Sequence, residues 1–315
     1  MASYIARRVV QSIIVVFGVT VIVFVLIHLL PGGPARALLG VTATPEQVRQ
    51  FTIQNGWDQP VFVQYVHYMG HLLHGDLGFS YTYNQSVSSL LADNIPKTVL
   101  LLGLALVATI LIAVPLGIFQ AMRSNTVGDH ILTGSEFVAY SMPTFWLSTL
   151  LILWFSIDIH LFPSEAPQGA TVSAALKDPR ALVLPVASLT LVAVALFSRF
   201  IRSSATTVLV QDYMRTARAK GISGMRLMHK HLLRNALSPL ITIIGLSLPW
   251  MIGGAIVVES VFNYPGMGLL LWKAATSHDY PLLMGITLVA GVATVLGNLL
   301  ADVLYAVVDP RVHYG

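Results

Sequence analysis

The hydrophobic positions of this chain fall into long unbroken runs rather than the alternating or every-third-residue patterns of a water-soluble fold. Six runs are long enough to cross a bilayer as helices: Val9–Leu30, Thr98–Met122, Ile131–Ile157, Ala181–Phe200, Asn235–Val258 and Leu283–Val308. Each holds roughly 20 to 27 residues, which at 1.5 Å per residue spans a hydrocarbon core about 30 Å thick with some tilt. The pattern predicts an all-α membrane protein with about six transmembrane helices in a single domain. Two connections are too long to be plain turns. Residues 31–97 open on Pro31-Gly32-Gly33-Pro34, and Thr44 is placed to cap a helix begun by Pro45, with Glu46 and Gln47 in its first turn. Phe62, Tyr65, Val66, Met69, Leu72 and Leu73 then recur at helical spacing, predicting a short amphipathic helix that lies at the interface or packs on the spans. Residues 201–234 are basic and helical in propensity, except at Gly221 and Gly224.

Composition strengthens this reading. Of 315 residues, 55% are hydrophobic and only 10% are charged, against about a quarter charged in a soluble domain. The length would allow two soluble domains, but the spread of apolar runs overrules that prior. With no cysteine in the chain, structural disulfides, thiolate metal sites and thiol catalysis are excluded. The net charge of +4 is unevenly distributed. The N-terminus and the second and fourth loops carry Arg7, Arg8, Arg123, Arg199, Arg202, Arg215, Arg218, Lys220, Arg226, Lys230 and Arg234 against Asp129 and Asp212. In the first, third and fifth loops acidic residues outnumber basic ones. The basic excess marks the cytoplasmic side, so both termini are expected inside, and membrane orientation rather than nucleic acid accounts for the charge. Arg7 and Arg8 before an apolar run, with Ala35-Arg36-Ala37 after it, superficially suggest a cleaved signal. The run itself, about 33 Å long as a helix, is a full span and is read as retained.

Candidate chemistry is sparse. No G-x-x-x-x-G-K-[ST] loop, nucleophile elbow or H-E-x-x-H occurs, so neither ATP binding nor catalysis is expected in this chain. Glu136 in the third run and Asn298 and Asp302 on one face of the sixth are polar groups at membrane depth. Such groups either line a solvated pathway or are satisfied by neighbouring helices near the span ends. His67, His71 and His74 share a helix face; without a carboxylate at helical spacing among them they read as an exposed polar stripe, and no metal site is assigned. Ala113, Gly117 and Ala121 form a small-residue stripe that admits a close neighbour. Pro115, Pro143, Pro185, Pro239 and Pro249 fall within runs and mark kinks or hinges.

The most informative segment is cytoplasmic: Asp212-Tyr213-Met214-Arg215-Thr216-Ala217-Arg218-Ala219-Lys220-Gly221-Ile222, leading to His231-Leu232-Leu233-Arg234-Asn235-Ala236. It reads as a short helix, a glycine free to take positive φ, and a second helix entering the fifth span. Small residues at 217 and 219 would let another surface come close. Such an elbow can transmit a push from a soluble partner, or it can lie on anionic headgroups. The segment resembles the EAA loop of ABC-importer permeases. On the generic pattern Arg215 stands for the glutamate, while His231 and Arg234 replace the isoleucine and proline. RTARAKG followed by HLLRNALSP is much closer to the dipeptide/oligopeptide branch. Pro31–Pro34, Gly75-Asp76-Leu77-Gly78, Pro143-Thr144-Phe145-Trp146, Glu259 through Gly268 and the Asp309-Pro310-Arg311 tail resemble further elements of that branch, with Gly33 where aspartate is usual.

The resemblance implies a type I ABC-importer permease fold in a bacterial plasma (inner) membrane. It also implies pairing with a homologous permease subunit, docking of Arg215, Thr216, Ala217, Arg218, Ala219, Lys220, Gly221 and Ile222 on two cytoplasmic ATPase subunits that hold ATP and magnesium, and delivery of short peptides by an extracytoplasmic binding protein. Nickel complexes and glutathione are alternative cargoes of the same machinery. A secondary transporter or channel, which should show inverted repeats and mid-membrane charges, and an intramembrane enzyme are the rivals from other classes.

Overall fold

A computed structural model describes residues 2–308 except 30–32, 41–42, 55, 81, 170 and 238–239. Pro239, the DPR tail and part of the Pro-Gly-Gly-Pro turn lie outside the described residues. The described chain is mostly helical. Helix α1 (Ala2–His28) is followed outside the spans by α2 (Gly33–Leu39), α3 (Pro45–Gln54) and α4 (Val61–Leu73). Thr44 caps α3 as expected, its Oγ1 accepting from the Gln47 amide at 3.3 Å while Gln47 Oε1 accepts from the Thr44 amide at 2.8 Å. A two-residue hairpin, β1 (Phe79–Ser80) with β2 (Gln85–Ser86), leads into α5 (Val87–Met122).

Helix α5 begins eleven residues before the apolar run at Thr98 because its first turns have a partner. Val87, Leu90 and Leu91 are buried against α14 (Met267–Thr276) and α15 (Tyr280–Val308). Helix α9 (Pro179–Leu209) is the central element: Asp178 caps it, Pro179 opens it, and 72% of its apolar window is buried. It packs along α5 through the small-residue stripe. Ala113 and Ala121 are 0% and 5% exposed, and a Cβ on Gly117 would sit 2.5 Å from the Ser198 carbonyl oxygen. Close backbone approach is thus the reason for glycine there.

The third apolar run is not one straight helix. It divides into α6 (Val127–Ser141) and α7 (Thr144–Leu151), bent by 106° at Met142-Pro143. Pro143 has no amide hydrogen to donate and drives Met142 into an extended conformation (φ −75°, ψ 129°). Beyond α7 the helix widens into a π-turn at Ile152–Asp158. A short α8 (Val172–Lys177) precedes α9, and α10 (Asp212–Ala219), α11 (Gly224–Leu227), a π-turn at Met228–Leu233 and α12 (Arg234–Ala236) connect α9 to α13 (Leu240–Val261).

Among the described residues four helices (α1, α5, α9 and α15) are individually long and apolar enough to cross a membrane. The α6–α7 pair passes the same test together, and the described part of α13, Met251–Val261, is apolar but shorter. Outward faces such as Ile13, Ile14 and Phe17 of α1 and Leu111 of α5 are more than half exposed, as a lipid-facing surface requires.

Candidate coupling site and polar groups of the membrane helices

The elbow between α9 and α13 is anchored by residues one helical turn apart on α10. Met214 (0% exposed) and Ala217 (5%) point into a cluster with Ile201, Ala205 and Val208 of α9, Leu227, Leu232 and Ala236. After Ala219 the chain turns at Gly221, φ +70°. The Ile222 amide donates to the Ala217 carbonyl at 3.3 Å and the Lys220 amide to Thr216 at 3.0 Å. This is a Schellman-type end, completed by Ile222 packing on the cluster that holds Ala217. Space around Gly221 is open, so glycine is required by backbone conformation and not by crowding. Arg215, Thr216, Ala219, Lys220 and Gly221 are exposed; the Arg218 side chain lies outside the described residues. Ala217 therefore serves the protein's own core, and of the two small residues only Ala219 faces outward. The pair Arg215–Asp212 at 3.8 Å is fully solvated and contributes little.

The polar groups expected at membrane depth do not form one site. Asp302 of α15 pairs with Arg8 of α1 at 3.2 Å, a neighbouring-helix partner near the span end. Asn298 is exposed on α15. Glu136 lies on α6, 4% exposed, with neither carboxylate oxygen hydrogen-bonded among the described residues. Asp129 and Arg202 lie in different loops of the sequence, and nothing in its pattern pairs them. In the structure Arg202 Nη2 donates to Asp129 Oδ2 at 2.6 Å and Nη1 to Thr133 Oγ1 at 3.0 Å, joining α6 to α9.

A second polar centre explains the segment Glu259 through Gly268. Glu259 is fully buried at the end of α13. It accepts from Thr98 Oγ1 at 2.6 Å and from the amides of Gly268 at 2.6 Å and Leu269 at 3.3 Å. Its carboxylate thus caps α14 from a different helix. Thr98 in turn accepts from the Met267 amide at 2.8 Å, and Tyr264 donates its hydroxyl to the Lys97 carbonyl at 2.9 Å. A Cβ on Gly266 would lie 2.5 Å from the Glu259 carboxylate, and one on Gly268 would collide with the Ile256 backbone. The signal in sequence was the spacing of Glu259 from Gly266 and Gly268, which alone does not reveal a cap.

Between α4 and β1, Gly75 and Gly78 take positive φ at the turn after α4, and the Asp76 Oδ1 accepts from the Gly78 amide at 2.9 Å. That turn brings Asp76 Oδ2 within 3.0 Å of His71 Nδ1, while His74 Nδ1 contacts the Gly70 carbonyl at 2.8 Å. Among the described residues no three His, Asp or Glu side chains are grouped to hold a metal ion. Ser80 donates to Asp279, and burial, aided by that carboxylate, raises the Tyr83 phenol above its ordinary range. A cavity of about 680 Å³ between α3, α4 and α15 is lined by Trp57, Tyr68, His67, His71, Asp76 and Met284.

Residues 113–314 match the family described as binding-protein-dependent transport system inner membrane component, and residues 1–102 match its N-terminal counterpart. The chain belongs to this family. It is 37% identical over 316 residues to the oligopeptide transport system permease protein AppB of Bacillus subtilis (strain 168), covering 100% of both chains. Two solved structures share its fold. An inward-facing methionine ABC transporter, MetNI, is 17% identical with a TM-score of 0.54, over 70% of this chain and 96% of that one. An amino acid ABC transporter with histidines is 16% identical with a TM-score of 0.52, over 69% and 94%. This permease is accordingly a multi-pass membrane subunit of the type I importer class.

Proposed function

We propose that this permease imports short peptides across a bacterial plasma membrane by alternating access, driven by two cytoplasmic ATPase subunits that bind ATP and magnesium. A homologous permease subunit would complete the pathway, and an extracytoplasmic binding protein would deliver the peptide. The peptide cargo is supported by the full-length similarity to an oligopeptide permease. The observation that carries the coupling is the two-sided α10. Its inner face is locked into α9 through Met214 and Ala217, and its outer face presents Arg215, Ala219 and Lys220 to the cytoplasm. A displacement of α10 by a docked ATPase must therefore move α9, the most buried helix of the bundle.

The test is Gly221→Val. A β-branched residue at φ +70° costs about 1–2 kcal/mol, enough to depopulate the elbow roughly tenfold. Peptide uptake per ATP hydrolysed should fall by about that factor while the protein remains in the membrane. Uptake unchanged from wild type contradicts the coupling role. Uptake of nickel or glutathione in place of peptide would keep the mechanism and reassign the cargo.

A further inference from the structure

All five buried side-chain polar atoms without a hydrogen-bond partner among the described residues belong to Gln120, Asp129 and Glu136. They are not scattered. Asp129 and Glu136 occupy the buried side of α6 at i and i+7, with Thr133 between them at i+4. Gln120 stands on α5 three residues after Gly117, whose backbone is pressed against Ser198, Ile201 and Arg202 of α9. Arg202 is the charge that faces this seam, and it bridges Asp129 and Thr133. A carboxylate buried without a partner is expensive, and native chains keep such a group only when it has a further role or is satisfied in another state. The Asp129-to-Glu136 spacing is two helical turns, and Arg202 currently holds the first of the two intervals.

We infer that Arg202 has two stations on α6, Asp129–Thr133 in this conformation and Thr133–Glu136 in another, and that it positions α6 against α9 during transport. This inference rests on the coupling proposed above. Thr133 belongs to both stations, so the guanidinium exchanges one carboxylate for the other without losing its middle contact. Changing station requires α6 to slide about one turn, ~5 Å, along α9, and the fold allows this. Helix α5 is fixed to α9 at Gly117. Helix α6 is bounded at one end by the turn with Asn125 at φ +63°, whose amide donates to Asp129 Oδ2 at 2.9 Å and so keeps a partner on that carboxylate when Arg202 leaves, and at the other by the Met142–Pro143 break. When α10 carries α9 and α5 together, α6 is the element that can stay behind. The other guanidinium near this face, Arg199, lies 4.8 Å over the exposed Phe137 ring, on the outer side of α6.

The chain has no cysteine, so Y140C/T206C places two spin labels on exposed positions of α6 and α9 with no background from this chain, and the labelled chain is then assembled with its unlabelled partner subunits. Because the two helices run antiparallel, sliding Glu136 toward Arg202 draws residue 140 toward residue 206. With ATP and vanadate the label distance should shorten by about 5 Å. Glu136→Gln should retain the resting distance, lose the shortened population and lower uptake about tenfold. Asp129→Asn should show the shortened distance without nucleotide, and Arg199→Gln should leave the shift intact. A shift that survives Glu136→Gln, or one abolished by Arg199→Gln, overturns the assignment. Absence of any shift in a transporter that still imports peptide sinks this inference alone. A transporter with neither a nucleotide response nor import sinks the coupling beneath it.

Discussion

At Glu259 one carboxylate receives a threonine hydroxyl and two backbone amides from segments far apart in the chain. Its removal strands all three donors in a buried site, where each lost acceptor costs about 1–3 kcal/mol. Glu259→Ala should therefore destabilise the junction of α5, α13 and α14 by about 3 kcal/mol or more, read as a lower thermal midpoint of the detergent-purified transporter. Glu259→Gln, which keeps one acceptor oxygen, should lose less; equal midpoints for Ala and wild type would contradict the capping role. Gly221 and Gly268 show two different demands on the same residue type. The first needs a positive φ with open space around it, and the second needs the absence of a side chain against Ile256. Only the first was legible in sequence, because a glycine after a short helix carries its own conformational meaning, whereas a clash with a backbone nine or more residues away does not.

Helix α4 was expected from its periodicity, but the side it buries was not. Its packed face is polar and aromatic. Gln64 donates to the carbonyls of Trp57 and Gln59 and lies 2.9 Å from His28, and Tyr65 meets Thr20 at 2.7 Å and the edges of Phe17 and Phe24. Several of its apolar residues face outward, Phe62 at 76%, Val66 at 50% and Leu73 at 80% exposure, while Met69 and Leu72 are half-buried. In water this would be an unstable arrangement; beside the outward apolar face of α1 it is the arrangement expected of a helix lying in a bilayer interface. Single cysteines at 62, 66 and 73 should resist membrane-impermeant maleimides, while one at exposed His67 should react at least several-fold faster. Equal rapid labelling at all four positions would show α4 to be in water. The third apolar run teaches a related lesson. Its composition predicts membrane depth, but composition does not distinguish a straight span from one bent by 106°, and Pro143 identified the hinge position without giving its angle.

Across the whole molecule, the apolar runs and basic asymmetry were sufficient to read a polytopic α-helical protein, and the RTARAKG and HLLRNALSP strings were sufficient to suggest its family, which full-length similarity then established. Long-range pairings were not legible. Arg202 with Asp129, Arg8 with Asp302 and Thr98 with Glu259 join residues that separate apolar runs, and periodicity within one run carries no information about its neighbour in space. The same limit applies to Ala217, read as a surface residue and found to be core, because helix α10 has a buried side only once α9 and α12 are in place. What emerges is a central α5–α9 pair, rigid at Gly117, joined directly to an exposed basic elbow. On the function proposed above, this elbow is where a separate ATPase drives the bundle. Ala219→Cys, on the exposed face of α10 in a chain without other cysteines, can carry a photoactivatable cross-linker in the native membrane. The expected result is a cross-linked product with a Walker-motif ATPase subunit, its yield changing when ATP is added. Cross-linking to lipid alone, in membranes that still import peptide, would contradict it.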